Sequence, residues 1–181
     1  MSGNDESPRH YSVDERDPGF SLRTMTPEDL PVVHGLELRL FPGDAWPLEM
    51  FEAELAQTET REYFVATIGG TVVGYAGLMC IPPIADVQTI AVIPEFEGRG
   101  IGSALLRTLL QRAANGQAED VLLEVREDNP RAQALYLRFG FERIAVRKRY
   151  YKGGIDALIM RRELGEEPAE PSAEGRGGRA V

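Results

Sequence analysis

Residues 89–106, which read TIAVIPEFEGRGIGSALL, carry most of the information about function in this sequence. The stretch passes from an apolar, strand-like segment through three closely spaced glycines, Gly98, Gly100 and Gly102, into an amphipathic helix. The backbone N–H groups in the first turn of a helix lack partners and carry a partial positive charge, and glycines let a ligand approach the main chain. The pattern therefore predicts a site for an anionic, phosphate-bearing ligand.

The glycine spacing excludes two common nucleotide-binding motifs. A Walker-type loop needs Lys followed by Ser or Thr after its last glycine, whereas Gly102 is followed by Ser103 and Ala104. A dinucleotide fingerprint needs Gly-x-Gly-x-x-Gly, and the third glycine here comes one residue too early. Neither ATP nor NAD is the expected ligand. On this motif alone, a glycine-rich turn that binds nothing stays open as the alternative.

The composition predicts one globular domain between polar ends. The chain has 181 residues, of which 43% are hydrophobic, and we expect a single domain over residues 20–164. Residues 1–19, which are acidic, and residues 165–181 are poor in aromatic and branched side chains, so we expect disordered tails. The sequence contains no apolar run of about 18 residues and no signal-peptide pattern, which predicts a cytoplasmic protein without a membrane partner. One cysteine and two histidines provide no metal-site spacing, so no metal is expected.

The order of predicted elements is β-α-α-β-β-β-α-β-α-β-β, which indicates a mixed α/β (α+β) fold. Caps, glycine turns and hydrophobic periodicity mark the individual elements. They are a strand at 20–23, a helix from the Thr26-Pro27 signal to about Leu40, a helix at 48–56, a hairpin at 63–68 and 71–79, a strand at 86–93, a helix ending at Asn115, a strand at 121–126, a helix between Asn129-Pro130 and Gly140, and strands at about 141–150 and 155–163.

Glu124 is the best candidate for a catalytic base. Strand alternation places it on the opposite face from Leu123 and Val125, and an acid in the middle of an apolar strand is costly unless it is paired or useful. A base of this kind could take a proton from an amine through a water molecule. The alternatives are that Glu124 forms an ion pair with Arg126 on the same face or simply faces water.

Tyr136 is a second residue of interest, on the next predicted helix. It lies on an apolar stripe with Ala132, Leu135 and Phe139, so a core tyrosine whose hydroxyl is satisfied by a protein partner explains it fully on the pattern alone.

Two segments resemble the GCN5-related N-acetyltransferase superfamily. Residues 97–102, EGRGIG, are similar to that family's Arg/Gln-x-x-Gly-x-Gly/Ala motif, except that an acid, Glu97, stands at the first position. Residues 123–141, LEVREDNPRAQALYLRFGF, are close to the pattern of the RimI-type ribosomal-protein-alanine acetyltransferases. The loop at 41–47, FPGDAWP, and the closing strands at 149–160 resemble the same branch.

The resemblance implies a fold, an activity and a set of site residues. The implied fold is a mixed, mostly antiparallel sheet of about six to seven strands with helices on both faces. The implied reaction transfers acetyl from acetyl-CoA to a protein α-amino group, the N-terminal alanine of a small-subunit ribosomal protein. Glu124 is the implied general base, and Tyr136 is the implied acid for the CoA thiolate. The implied cofactor-binding residues are Ile90, Ala91 and Val92 at the pantetheine arm and thioester, Gly98, Arg99, Gly100, Ile101, Gly102 and Ser103 at the pyrophosphate, and Asn129.

Other functions stay open at this point. The same chemistry could act on other protein N-termini or on a small-molecule amine such as a polyamine or an aminoglycoside. Glu97 leaves room for an acetyl-CoA-binding module without catalysis. The basic run at 143–152 could attract RNA, but charged side chains on an edge strand explain it, so nucleic acid is not the expected partner. Cys80 has no histidine placed to act as its base and is expected to serve packing.

Overall fold

The computed structural model describes residues 19–165, and within them the order of elements is the predicted one. Apart from Gly19 and Gly165, the predicted tails lie outside the described residues. The elements are β1 (Ser21–Thr24), α1 (Leu30–Leu40), α2 (Leu48–Ala56), β2 (Arg61–Ile68), β3 (Thr71–Ile81), β4 (Ile84–Val92), α3 (Ile101–Asn115), β5 (Asp120–Arg126), α4 (Pro130–Arg138), β6 (Glu142–Tyr151) and β7 (Ile155–Glu163).

The strands form one sheet in the order β1-β2-β3-β4-β5-β7-β6. Every neighbouring pair is antiparallel except β4 and β5, which are parallel. The prediction of a mixed, mostly antiparallel sheet of six to seven strands is therefore confirmed. The basic run lies on β6 except for Lys152, which is in the following turn, and β6 is an edge strand as expected.

Strands β4 and β5 pair only at their beginnings. Their register joins Ile84–Asp86 to Asp120–Leu122, and the two strands part beyond that point. The pairing of β4 with β3 also shifts register, because Leu78 is opposite Val87 whereas Gly77 is opposite Thr89. This bulge at Gln88 turns β4 away from β5. The parted strands open a gap in the middle of the sheet.

Helices cover both faces of the sheet, as predicted. On one face, α3 buries Leu105, Leu106 and Leu109 in a cluster that also contains Tyr136 of α4. On the other face, α1 and α2 pack around a separate cluster that includes Val33 and Phe51. The gap between β4 and β5 is therefore approached from two sides by different helices.

The first helix begins later than the sequence pattern predicts. Residues Pro27–Asp29 form a 3₁₀ turn, and α1 starts only at Leu30. The Asp29 carboxylate accepts a hydrogen bond from the Thr26 N–H at 2.8 Å and two from the Arg23 guanidinium at 2.7 Å each. These contacts tie the turn to β1 in a tighter conformation than an α-helical first turn.

Candidate active site

The gap between β4 and β5 opens into a cavity of about 900 Å³. Its walls are the second half of β4, the end of β5, the glycine turn, the start of α4 and the loop at residues 41–47. One cavity thus brings together segments that are far apart in the sequence, among them Glu124 and Tyr136. A cleft of this size suits a ligand larger than an amino acid.

The glycine turn presents free backbone donors to the cavity. Gly98 and Gly100 adopt left-handed conformations with φ of 77° and 84°, which only glycine takes up readily, and α3 begins immediately afterwards. The first backbone hydrogen bond of this helix joins the Ala104 N–H to the Gly100 carbonyl at 2.9 Å. The three preceding N–H groups, of residues 101–103, have no acceptor among the described residues, so they can bind an anion.

Most of the predicted cofactor-binding residues line this cavity. They are Ile90, Ala91, Val92, Gly98, Gly100, Ile101, Gly102, Ser103 and Asn129. The exception is Arg99, whose guanidinium lies over the ring of Phe96 at 4.9 Å from the centroid and is not part of the cavity wall.

The backbone of Val92 points into the gap. The Ile93 N–H donates to the Val73 carbonyl of β3 at 2.9 Å. Because successive N–H groups of an extended chain point in opposite directions, the Val92 N–H is directed away from β3, toward β5. With β5 turned away there, this N–H can donate to a ligand oxygen.

Glu124 occupies the face of β5 that the alternation predicts. Val121, Leu123 and Val125 are buried, whereas Glu124 lines the cavity with its side chain 30% exposed. Its partner is Arg147 of β6, with Nη1 3.0 Å from Oε1. An ion pair with Arg126 does not form, because Arg126 pairs with Asp44 and Asp128 instead.

Tyr136 is buried, but its hydroxyl is free. The residue is 5% exposed, and its ring packs edge-on against Phe141 at a centroid distance of 6.0 Å. The hydroxyl has no hydrogen-bond partner among the described residues, where no fully buried side-chain oxygen or nitrogen lacks one. It therefore opens into the cavity, unlike the satisfied hydroxyl of an ordinary core tyrosine. Burial raises the pKa of Tyr136, and the hydroxyl is protonated at neutral pH.

Asn129 has a structural role at the edge of the cavity. Its side-chain oxygen accepts a hydrogen bond from the Ala132 N–H at 3.1 Å and caps α4. The side-chain amide nitrogen remains available to a ligand.

Glu37 is a functional candidate that the sequence reasoning missed. It is 3% exposed, lines the cavity and accepts hydrogen bonds from the Tyr75 hydroxyl and from the Trp46 N–H, the latter at 3.1 Å. Burial and the charge of Glu37 raise the pKa of Tyr75. The available signal was an acid on the same helical stripe as the buried Leu30 and Val33.

An ion pair attaches the loop at 41–47 to β5, and a hydrogen bond attaches it to the turn between β6 and β7. Asp44 Oδ2 lies 2.8 Å from Arg126 Nη1 of β5, and Asp44 Oδ1 accepts from the Lys152 N–H at 3.2 Å, in the turn between β6 and β7. Trp46 lines the cavity and packs against Phe51 with a centroid distance of 5.3 Å. It is thus both part of the cavity wall and a link between the loop and α2.

Asp86 adds an acid at the point where β4 and β5 part. It is paired in register with Leu122, which places it on the same face as Glu124. It is partly buried and forms no hydrogen bond or ion pair with another described residue. Burial and the nearby charge of Glu124 raise the pKa of Asp86. Glu37, Asp44 and Glu124 line the cavity, whereas Asp86 is not part of its wall.

Two residues singled out in the sequence lie apart from this chemistry. Cys80 Sγ contacts the Gly116 carbonyl at 3.6 Å, and burial raises the pKa of the thiol, which fits a packing role. In the basic run, Lys148 Nζ forms an ion pair with Asp156 at 2.7 Å.

Across residues 19–165, no group of three or more His, Cys, Asp or Glu side chains could hold a metal ion. None of the helices in this range has the length and apolar character needed to span a membrane.

The sequence matches a known family over most of this domain. Residues 30–141 match the acetyltransferase (GNAT) family. The chain belongs to the GNAT family. It is 45% identical to the N-alpha-acetyltransferase RimI of Mycobacterium tuberculosis over 152 residues, which cover 81% of this chain and 94% of the relative.

Further relatives come from the same branch of the GNAT family. The ribosomal protein bS18-alanine N-acetyltransferase of Escherichia coli K12 is 31% identical over 145 residues, covering 77% of this chain and 95% of the relative. The crystal structure of the ribosomal-protein-S18-alanine N-acetyltransferase from Escherichia coli superposes with a TM-score of 0.73 at 28% identity, covering 83% and 97% of the two chains. The predictions of a GNAT acyltransferase and of its RimI-type branch are confirmed. The family uses acetyl-CoA.

Proposed function

We propose that this protein transfers the acetyl group of acetyl-CoA to the α-amino group of a protein, namely the N-terminal alanine of a small-subunit ribosomal protein. The observation that carries the proposal is the single cavity at the parted strands. It combines free backbone donors at the glycine turn with Glu124, Tyr136 and two further acids of the cavity wall, Glu37 and Asp44. The relatives named for α-amino and ribosomal-alanine acetylation support the choice of acceptor.

The glycine turn fits the phosphates of acetyl-CoA. Three free N–H groups at the start of α3 can bind the pyrophosphate, and the backbone of Gly98 and Gly100 carries no side chain to obstruct it. Along β4, the edge freed from β5 can hold the pantetheine arm through main-chain hydrogen bonds. Acetyl-CoA supplies the activated thioester.

The acceptor amine binds near Glu124 in the cavity. An α-ammonium group is attracted by the charge of Glu124, which lines the cavity. Its reference pKa of about 7.7–8.0, against about 10.4 for lysine, means that a weak base suffices to deprotonate it at neutral pH. Glu124 takes this proton through a water molecule, and the free amine can then attack.

Two groups assist the transfer from the side of the donor. The Val92 N–H, which points into the gap, donates to the thioester carbonyl oxygen as negative charge develops on it. Tyr136 donates its hydroxyl proton to the departing thiolate. Its hydroxyl has no competing partner among residues 19–165, so its proton is available for this transfer.

A peptide panel tests the proposal. Acetyl-CoA is incubated with the protein and with peptides that differ only in the first residue, and the release of free thiol is followed. An alanine amino terminus should be the best acceptor, with a spermidine or aminoglycoside reaction no faster than background. Acetylation of the small amines but of no peptide would replace the proposal with a small-molecule acetyltransferase. Binding of acetyl-CoA without transfer to any amine would indicate a non-catalytic module.

The cellular location is part of the same proposal. Ribosomal proteins are made and assembled in the cytoplasm, so the enzyme is proposed to act there. Fractionation of cells that express a tagged full chain would test this prediction.

A further inference from the structure

Glu97, the residue that departs from the family motif, is paired with a residue of a different element. Its Oε2 lies 3.0 Å from Nη1 of Arg131, in the first turn of α4. Both side chains line the cavity. The pair therefore spans the mouth of the cavity, from the glycine turn to the beginning of α4.

The guanidinium of Arg131 lies beside the predicted phosphate site. Its Nη2 is 3.9 Å from the position that a Cβ atom on Gly98 would occupy, so it is close to the backbone of the glycine turn. The free N–H groups of residues 101–103 follow three residues further along. A phosphate bound to those N–H groups would be within reach of the flexible Arg131 side chain.

A phosphate can compete with Glu97 for the Arg131 guanidinium. The side chains of Arg131 and Glu97 are 64% and 34% exposed, and exposed pairs contribute little to stability. Arginine binds phosphate with two parallel, charge-assisted hydrogen bonds. An anion with more than one negative charge can therefore displace a single carboxylate.

We propose that Arg131 is a ligand of the CoA pyrophosphate and that Glu97 competes for it, pairing with Arg131 in the free protein and releasing it when the phosphates bind. This inference rests on the proposed function, because it assumes that CoA binds in this cavity. Glu97 weakens binding in two ways, by occupying Arg131 and by repelling the phosphates. The acid in the motif thus lowers affinity for CoA without abolishing it, which also favours release of the product.

Calorimetric titration of CoA into the full chain tests whether the phosphates displace Glu97 from Arg131. Arg131→Gln should weaken binding about tenfold, and Glu97→Gln should strengthen it about threefold. In the Arg131→Gln background, the Glu97→Gln change should lose most of its effect, because much of it acts through Arg131. The matched controls are Glu62→Gln and Arg112→Gln, which remove the same charges from another exposed pair, 3.5 Å apart and outside the cavity wall. Neither control should change the affinity.

Fragments of the ligand identify the group that Arg131 contacts. Dephospho-CoA keeps the pyrophosphate but lacks the 3′-phosphate, and pantetheine lacks both. The Arg131→Gln change should weaken CoA and dephospho-CoA equally and leave pantetheine unaffected. A loss seen with CoA alone would overturn the pyrophosphate assignment.

The failure of this inference differs from the failure of the proposed function. If the unaltered protein binds CoA and Arg131→Gln binds it equally well, the inference is overturned and the proposed function stands. If the unaltered protein does not bind CoA at all, both are overturned. Weaker binding by Glu97→Gln would also overturn the inference, because it would mean that Glu97 supports the bound state.

Discussion

The Glu124→Gln substitution removes the proposed base and keeps the shape of its side chain. Glutamine can still accept a hydrogen bond from Arg147 but cannot take a proton from an amine. The side chains of the Glu124–Arg147 pair are 30% and 53% exposed, so weakening this pair costs at most about 1 kcal/mol of stability. The variant should therefore fold normally, and a change in rate can be assigned to chemistry.

The expected loss of kcat/KM in Glu124→Gln depends on the basicity of the acceptor amine and on the water molecule between this amine and Glu124. A general base contributes about 10²- to 10⁴-fold. Because the proton passes through water and the α-amino group is only weakly basic, we expect the lower end, a loss of about 10²-fold in kcat/KM at pH 7, or about 2.7 kcal/mol. Above about pH 8 the amine is already deprotonated in solution, so the deficit should shrink as the pH rises.

The assay measures initial rates of thiol release with an alanine-starting peptide from about pH 6 to about pH 9. Asp120→Asn is the matched control, because Asp120 lies on the same strand and face as Glu124 and is also paired with an arginine, Arg161, at 2.8 Å. It lies where β4 and β5 are still paired and is not part of the cavity wall, so its substitution should not change the rate. A Glu124→Gln rate within about twofold of the unaltered protein at pH 7, or a deficit equal at every pH, would refute the base assignment.

Three further substitutions test other contacts. Tyr136→Phe should lower kcat about 10- to 100-fold and leave the melting temperature nearly unchanged, since the hydroxyl has no partner in the described part of the chain; a large loss of stability with normal kcat would indicate a core role. Asp29→Asn should cost about 1–2 kcal/mol of unfolding free energy at neutral pH, because the half-exposed Arg23 lowers the pKa of Asp29 from 3.8 to about 2. The depressed carboxyl stabilises the fold above about pH 4 and loses its effect as the pH falls through about 2, so denaturant titrations of the two proteins should converge in acid; a constant difference would contradict this. Glu37→Ala should cost about 2–3 kcal/mol by leaving buried donors unpaired, and it should shift the fluorescence of Trp46, the single tryptophan, to the red; an unchanged spectrum would mean that Glu37 does not hold the loop.

The local parts of the fold could be predicted because local sequence decides them. The glycine turn needs left-handed backbone at Gly98 and Gly100, and α4 needs a cap such as Asn129, so both are visible in a few residues. The orientation of Glu124 follows from strand alternation in the same way. The start of α1 could not be predicted, because the contact of Asp29 with Arg23 tightens the first turn.

The partners of the site residues depend on pairing between distant strands. Glu124 meets Arg147 only because β7 lies between β5 and β6 in a register that includes two irregularities. Local alternation suggested Arg126 instead, and Asp44 takes that arginine from a loop that is 82 residues away in sequence. Periodicity within one segment carries no information about such contacts.

The role of Glu37 could not be predicted from the sequence for a different reason. Glu37 lies on the stripe of α1 that packs against the sheet, where an apolar residue is the usual expectation. Its burial is possible because Tyr75 of β3 and the loop at 41–47 both supply donors. An acid on an apolar helical stripe is thus a signal worth following, but its donors become visible only in the folded chain.

The most direct test of the account is to locate the acetyl group in the product. A peptide with an alanine amino terminus and an internal lysine is incubated with acetyl-CoA and the protein, and the product is fragmented in a mass spectrometer. We expect the acetyl group on the α-amino nitrogen alone, and we expect the Glu124→Gln protein to form this product far more slowly. Acetyl on the lysine side chain, or no acetylated peptide despite bound acetyl-CoA, would contradict this expectation.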